Sequence, residues 1–184
     1  MKDNREHPDT LLELFPGHPA RHTQLRALKH PDFGKKDAMT LLFGAKEALY
    51  AKHLDVRCFD GSWALGLMPG YPVGPKRWSV IWVGFDFDGN TLLEVSPFVD
   101  ALKARDIYVY LTIGTSGRGA HGYVFFTKPV SQPKVHNALK QWANLAVDLG
   151  LGRPDIRPSN PYGPGTGLFL PYRGAGQDGY GLIP

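Results

Sequence analysis

An apolar run at residues 78–87 limits the possible folds more than any other part of the sequence. It is rich in β-branched and aromatic residues, which favour a strand, and its near-continuous hydrophobicity predicts that the strand is mostly buried. Side chains alternate along a strand, so Asp86 and Asp88 should project from one face while Phe85 and Phe87 project from the other. Because burying a lone carboxylate is unfavourable, we expect Asp86 to have a partner.

Further elements are predicted on both sides of this strand. A short helix at about 9–15, a loop rich in His, Pro and Arg, and a helix over about 37–53 come first, with Asp37 as the candidate cap of the second helix. The others are strands at 63–67, 107–113, 121–127 and 168–170, a helix that starts at Asn90 or Thr91 and runs to about Arg105, a helix at 133–149, and a loop at 68–75. The turn at 114–121 is short enough to join antiparallel neighbours, so we predict an α+β fold with a mixed or antiparallel sheet.

Length, composition and charge narrow the class of protein. The 184 residues suit a single domain, 1–184, with a boundary near residue 76 between sub-modules 1–75 and 76–184. No apolar run is long enough to span a bilayer, and no signal-peptide pattern opens the chain. The single cysteine, Cys58, excludes an internal disulfide and a multi-cysteine zinc site. These features predict a cytoplasmic protein with no membrane partner. The net charge of +4 is compatible with a nucleic-acid partner but does not by itself indicate one.

Asp86 and Asp88 form a carboxylate pair at the end of the predicted strand. Two neighbouring carboxylates repel one another unless a cation neutralises them. Ligands that offer only oxygen favour Mg²⁺ or Mn²⁺ over zinc or copper. The structural alternative is that both side chains cap the turn at Gly89-Asn90. We favour a metal site, because Asp86 would otherwise be an isolated charge in an apolar strand.

A glycine-rich turn joins the next two predicted strands. It contains Ser116, Gly117, Arg118, Gly119, Ala120 and His121. The two glycines allow the backbone to approach an anion closely, and successive amides there can form an anion-binding nest. The arginine and the serine add donors suited to phosphate, and His121 can face the same phosphate. An ordinary hairpin turn is the alternative, but the combination of residues close to a carboxylate pair predicts triphosphate binding.

These two elements resemble motifs of the archaeo-eukaryotic primase superfamily, which includes the primase-polymerases of plasmids, phages and bacterial repair systems. Residues 83–88 are similar to its Asp-x-Asp motif, and residues 115–126 to its Ser/His motif. Looser similarity covers 155–158 and 167–173, so the resemblance spans about residues 78–175. It implies a primase-like catalytic core that pairs an N-terminal αβ module with an RRM-like module.

The resemblance also implies a reaction and its partners. The reaction is template-directed transfer of a nucleoside monophosphate to a 3′-hydroxyl by a two-metal mechanism, in replication, repair or mobile-element maintenance. It uses two Mg²⁺ or Mn²⁺ ions, a single-stranded or primed DNA template and NTP or dNTP substrates. A helicase or a further domain supplied separately is an additional expected partner.

Site residues carry over by position in the motifs. Asp86, Asp88 and a third acid would hold the metals, and the turn residues Ser116, Gly117, Arg118, Gly119 and His121 would hold the triphosphate. Arg173 would be a second phosphate contact. Asp155 is the preferred third acid, and Arg157 lies on the same face if that segment is extended. Asp148 and Asp178 remain alternatives, because 152–154, Gly-Arg-Pro, is not strand-like.

Residues 85–92 also look like the Asp-x-Asp-Gly-Thr motif of haloacid-dehalogenase phosphatases. In that family Asp86 would be a nucleophile and Asp88 a general acid/base. Asn90 interrupts the motif, the motif does not open the chain, and no paired acids follow near the C-terminus. The phosphatase would also leave the turn at 116–121 unexplained.

A third alternative is a catalytically silent module that binds single-stranded nucleic acid. Four tryptophans are candidates for base stacking, although their apolar surroundings favour the core: Trp63, Trp78, Trp82 and Trp142. Lys76 and Arg77 are better candidates for a template phosphate contact. A solvated pair at the start of a strand is equally compatible with their position.

Overall fold

We examined a computed structural model of the chain, which describes residues 14–15, 21–26, 38–42, 63–114 and 117–171. In chain order the first elements are the strands β1 (Arg21–Arg26), β2 (Ala38–Leu42), β3 (Trp63–Leu67), β4 (Tyr71–Gly74) and β5 (Arg77–Phe87). Helix α1 (Leu92–Lys103) follows, and then strands β6 (Tyr110–Ile113) and β7 (Ala120–Ser131), helix α2 (Gln132–Asp148), and strands β8 (Asp155–Arg157) and β9 (Leu168–Phe169). None of the helices in these ranges is long and apolar enough to cross a membrane.

The strands form two sheets. In the first the order is β2-β1-β3-β9, and in the second it is β4-β5-β7-β6, with β8 also pairing with β5. Each pairing between these strands is antiparallel. The α+β prediction is confirmed. Because β4 and β8 both pair with β5 on the side away from β7, β5 lies inside the second sheet, as its apolar sequence predicts.

Helix α1 begins where the sequence places a cap. Thr91 is the N-cap, and its side chain accepts a hydrogen bond from the Glu94 backbone amide while the Glu94 carboxylate accepts one from the Thr91 amide at 2.7 Å. This capping box satisfies amides that lack partners within the helix. The exposed Glu94 carboxyl has its pKa lowered by these hydrogen bonds, from the Thr91 backbone first and its side chain second.

The helices cover the face of the second sheet that carries Phe85 and Phe87. Both rings are almost completely buried, and each packs edge-on against Phe98 of α1 at a centroid distance of 5.3 Å. Leu139 of α2 is buried in the same cluster. Burying a side chain of this size stabilises the fold by about 1.5–3 kcal/mol. The predicted alternation is confirmed within β5, since its phenylalanines face the helices and Asp86 faces the other way, whereas Asp88 lies beyond the end of the strand.

The opposite face of β5 and β7 is aromatic at its centre. Phe15 contacts the rings of Trp82, Tyr123 and Phe125 at centroid distances of 5.0–5.3 Å, and Phe15, Trp82 and Tyr123 are fully buried. The prediction that Trp82 belongs to the core is confirmed. The partly buried Trp142 packs against the hydrophobic cluster between the helices and the second sheet. These rings are therefore structural and are not exposed for base stacking.

Two predictions for the N-terminal part of the chain were wrong. Residues 21–26 form β1 where a loop was predicted, and 38–42 form β2 where a helix was predicted. The two strands pair directly, with Thr23 opposite Thr40, and β1 also pairs with β3. At 38–42, pairing within a sheet outweighs the helix propensity of the residues. Strand β4 also forms inside the predicted loop at 68–75. The rest of the predicted helices at 9–15 and 37–53 lies outside the described residues, apart from 14 and 15.

Candidate active site

The antiparallel register brings the predicted acids and histidine into one row across the second sheet. Asp86 of β5 lies opposite Asp155 of β8 on one side and opposite His121 of β7 on the other. The row continues to β6, where Thr112 lies opposite His121. Residues directly opposite one another share a face of the sheet. The four residues Asp155, Asp86, His121 and Thr112 are hereafter called the acid row.

Asp86 has a basic neighbour on each side. His121 Nε2 lies 3.4 Å from Asp86 Oδ1, and Arg157 Nη2 lies 3.7 Å from Asp86 Oδ2. The same Arg157 nitrogen lies 3.3 Å from Asp155 Oδ2. The side chain of Asp86 is 17% exposed, whereas that of Asp155 is 68% exposed. The pair with Asp155 is therefore screened and adds little stability, and Asp86 is the carboxylate that is largely removed from solvent.

Arg157 is fixed in this position by backbone carbonyls. Its Nε donates to the Gly167 carbonyl at 3.0 Å and its Nη1 donates to the Ile156 carbonyl at 3.1 Å. One guanidinium therefore holds two carboxylates from different strands side by side. The sequence placed Arg157 on the face of Asp155 if the segment was extended, and β8 confirms that the segment is extended. Its contact with Asp86 depends on the pairing of β8 with β5 and was not predicted.

Tyr123 lies next to His121 on the same face of β7. Its hydroxyl donates to the Phe169 carbonyl of β9 and lies 3.4 Å from His121 Nδ1. The hydroxyl hydrogen is used by the Phe169 carbonyl, and the hydroxyl oxygen remains in contact with the imidazole. This contact fixes the orientation of the imidazole, and Nε2 is thereby directed at Asp86. Burial raises the pKa of Tyr123 well above its usual value, and the nearby charge of Asp86 raises it further.

The glycine-rich turn lies against the end of β5. Gly117 and Gly119 have φ values of +72° and +98°, which residues other than glycine rarely adopt. A Cβ added to Gly119 would lie 2.6 Å from the Phe87 carbonyl oxygen. The Gly117 amide donates to the Gly114 carbonyl at 2.9 Å and is therefore already used within the turn. Arg118 is exposed on this turn, beside the acid row, and the turn can present its guanidinium to an anion.

The remaining predicted site residues are placed less closely together. Asp88 is exposed one residue beyond the end of β5, and Lys76 and Arg77 are exposed at the β4–β5 turn. Asp148 is exposed at the last position of α2. Ser116, Arg173 and Asp178 lie outside the described residues. Of the two candidates for the third acid among the described residues, Asp155 and Asp148, Asp155 is the one that the strand register places beside Asp86.

The donors at the acid row suit a hard cation in their chemistry, since Asp86, Asp88 and Asp155 all offer carboxylate oxygens. Within the described ranges, no three acid, histidine or cysteine side chains are close enough together to hold a metal ion. The Arg157 guanidinium instead balances the charge of Asp86 and Asp155. A divalent ion shared by these two carboxylates would have to displace those contacts with Arg157.

Replacing Tyr123 with phenylalanine should lower the stability of the fold by about 1 kcal/mol near neutral pH, because the Phe169 carbonyl loses its donor. The raised pKa keeps Tyr123 protonated in the folded state while the unfolded chain ionises at about pH 10. The stabilisation from the neutral hydroxyl is therefore complete below pH 10 and is lost as the pH rises above 10. Urea unfolding at increasing pH should show that wild type and Tyr123→Phe converge. The exposed Tyr162→Phe is the control, and a difference that stays constant with pH would contradict the assignment.

A comparison with solved structures bears on the fold. The fold is similar to that of the polymerase domain of Mycobacterium tuberculosis Ligase D, solved in complex with DNA, with a TM-score of 0.53 and 15% sequence identity. The match covers 96% of this chain and 78% of that chain. No family model matches the sequence, and no curated protein does. The chain therefore shares its fold with that polymerase domain over nearly its whole length.

Proposed function

We propose that the protein is a template-directed nucleotidyltransferase, a DNA primase or polymerase of the archaeo-eukaryotic primase type. The observation that carries the proposal is the acid row, in which two carboxylates and an imidazole from three strands meet on one sheet face. The fold shared with a polymerase domain that was solved in complex with DNA supports it. In this proposal the first sheet belongs to the N-terminal module and the second sheet to the RRM-like module. Strand β9 then links the two modules, since it pairs with β3 in the first sheet and its Phe169 carbonyl accepts the hydrogen bond from Tyr123 in the second.

The carboxylates of Asp86, Asp88 and Asp155 would hold Mg²⁺ or Mn²⁺ in this proposal. When bound, the metal would neutralise charge on the attacking and leaving oxygens of the phosphoryl transfer. Asp86 lies at the centre of the row and is the natural shared ligand. Arg157 keeps Asp86 and Asp155 at close range before the metal arrives, which lowers the repulsion that two bare carboxylates would suffer.

The groups on the other side of Asp86 would bind the nucleotide. His121 is held by Tyr123 and Asp86, and Arg118 is exposed on the turn that follows β6. A fixed imidazole and a guanidinium can position a triphosphate with donors that need little rearrangement during the reaction. Ser116 and Arg173 complete the set by resemblance to the family's motifs, and Gly117 and Gly119 give the turn its shape.

The phosphatase alternative requires Asp86 to act as a nucleophile on a phosphate. The carboxylate of Asp86 contacts both Arg157 and His121, and a second carboxylate, that of Asp155, lies on the adjacent strand. A nucleophile must approach phosphorus closely, and the neighbouring negative charge would repel the substrate. The acid row is therefore better suited to sharing a cation than to attacking an anion.

The test is nucleotide incorporation on a primed single-stranded template with Mg²⁺ or Mn²⁺, using dNTPs and NTPs in parallel. We expect the primer to be extended, and we expect extension to stop when the metal is chelated and to resume when it is restored. Hydrolysis of a generic phosphomonoester without extension would favour the phosphatase. Binding of single-stranded DNA without incorporation under either metal would favour the silent nucleic-acid-binding module.

A further inference from the structure

A basic groove runs along the outer edge of β8, beside the acid row. Its volume is about 700 Å³, and it lies between α2, β8 and the loop that follows β8. His136, Lys140 and Ala143 line one side of it and recur at helical spacing on a single face of α2. Residues 153–157 line the other side, and Ser159, Pro161 and Thr166 lie at its end. These residues are hereafter called the β8 groove.

The charge of the β8 groove is positive. Lys140 and Arg153 are exposed within it, and Arg153 Nη2 donates to Asn144 Oδ1 of α2 at 2.5 Å, which holds the guanidinium against the helix. Asp155 is the one acid among the described residues that line the groove, and its carboxylate is contacted by Arg157. With His136 neutral, three basic side chains and one acid leave an excess of positive charge. Such a groove attracts phosphate.

The uncharged residues of the groove also suit a phosphodiester. Thr166 donates to Ser159 Oγ from its backbone amide and from its hydroxyl, both at 3.1 Å, so hydroxyl groups are clustered at one end. Lysine, arginine and hydroxyl side chains are the groups that contact nucleic-acid backbones without reading sequence. The wall formed by β8 is an edge of the sheet, since β8 pairs with β5 on one side and lines the groove with its other side.

We propose that the β8 groove binds the sugar-phosphate backbone of a single nucleic-acid strand. Asp155 and Arg157 belong to both the groove and the candidate active site, so the groove adjoins that site at these two residues. This proposal rests on the proposed function in one respect, that the bound strand serves as the template. The binding of the strand itself depends only on the groove.

The experiment measures the affinity of a short labelled oligodeoxythymidylate for the whole chain as a function of salt concentration. The variant Lys140→Ala/Arg153→Ala should bind on the order of tenfold more weakly at low salt, and its salt dependence should fall by about 1.4 in log–log slope, since two phosphate contacts are lost. The matched control is Lys103→Ala/Lys134→Ala, which removes the same charge from exposed helix positions outside the groove. The control should keep the wild-type slope.

Each outcome bears on the proposal. Equal affinity and slope for the groove variant and the control would overturn it, as would a groove variant that raises the KM for nucleotide while its affinity for the oligonucleotide is unchanged. In the second case the groove holds the phosphates of the substrate. If the groove variant loses the strand but the wild type incorporates no nucleotide, the groove proposal stands and the proposed function fails. Circular dichroism checks that both variants are folded.

Discussion

Replacing Asp86 with alanine should reduce nucleotide incorporation by about 10³-fold or more, the largest effect expected from any single side chain of the chain. Asp86 lies between Asp155 and His121 in the acid row, so its loss removes the carboxylate that we propose as the shared metal ligand and the contact that orients the imidazole. The fold should survive, because Arg157 retains its contact with Asp155 and its hydrogen bonds to backbone carbonyls. The measurement is primer extension in single-turnover conditions, with thermal unfolding of each variant.

The matched control for Asp86→Ala is Asp100→Ala, since Asp100 is an exposed acid on α1. It should leave incorporation within about twofold of wild type, as most surface substitutions away from a site do. The identity of the third acid is tested in the same way, with Asp155→Ala as the test variant and Asp148→Ala as its control. We expect Asp155→Ala to behave like Asp86→Ala and Asp148→Ala to behave like wild type. Extension that survives in both Asp86→Ala and Asp155→Ala would show that the metal assignment is wrong.

Replacing Gly119 with alanine should have the largest effect on stability, a loss of about 2–5 kcal/mol. Two unfavourable terms add at this position. The φ of +98° strains any L side chain, and the new Cβ would lie 2.6 Å from the Phe87 carbonyl oxygen and 3.3 Å from the Gly89 amide nitrogen. Both neighbours are backbone atoms of the strand end that carries the acids, so they cannot move without shifting the site.

Gly150→Ala separates the backbone strain at positive φ from the steric clash of the added Cβ. Gly150 has a similar φ of +83° after α2, but an added Cβ would meet nothing within 4 Å. It should therefore show only the backbone strain, about 1–2 kcal/mol. Urea unfolding gives both values, and primer extension should be impaired in Gly119→Ala alone, because only that variant displaces the turn from the end of β5. Equal destabilisation of the two variants would mean that the turn does not pack as tightly against β5 as the distances indicate.

Local patterns predicted the strands β5, β6 and β7 of the second sheet well, but not β4 or β8. The alternation of Phe85 and Asp86, the cap at Thr91 and the apolar face of α2 are each determined by residues close in sequence, and all three are present in the structure. The first sheet was predicted poorly for the converse reason. Residues 38–42 have an ordinary helix propensity, and only pairing with β1 makes them a strand.

The candidate site was likewise predicted in its local motifs but not in the contacts between strands. Asp86 and His121 were predicted from motifs, whereas their contact depends on the register of β5 against β7, which is interrupted by an irregularity between Val80 and Trp82. Periodicity within a strand does not determine register between strands. The position of Arg157 and the β8 groove were also beyond sequence reasoning, because Lys140 and Arg153 become neighbours only when α2 packs beside β8.

The short strand β8 has a consequence for the order in which the molecule can become active. Strand β8 pairs with residues 84–86 of β5. Strand β9 pairs with β3, and its Phe169 carbonyl accepts a hydrogen bond from the Tyr123 hydroxyl. Both sheets are therefore completed by segments that leave the ribosome long after their partners. A nascent chain that has reached α2 already contains Asp86 and His121 but neither Asp155 nor the guanidinium that gathers the two acids. Contacts so distant in sequence form slowly, and the assembly of the acid row is thus delayed until the last strands emerge.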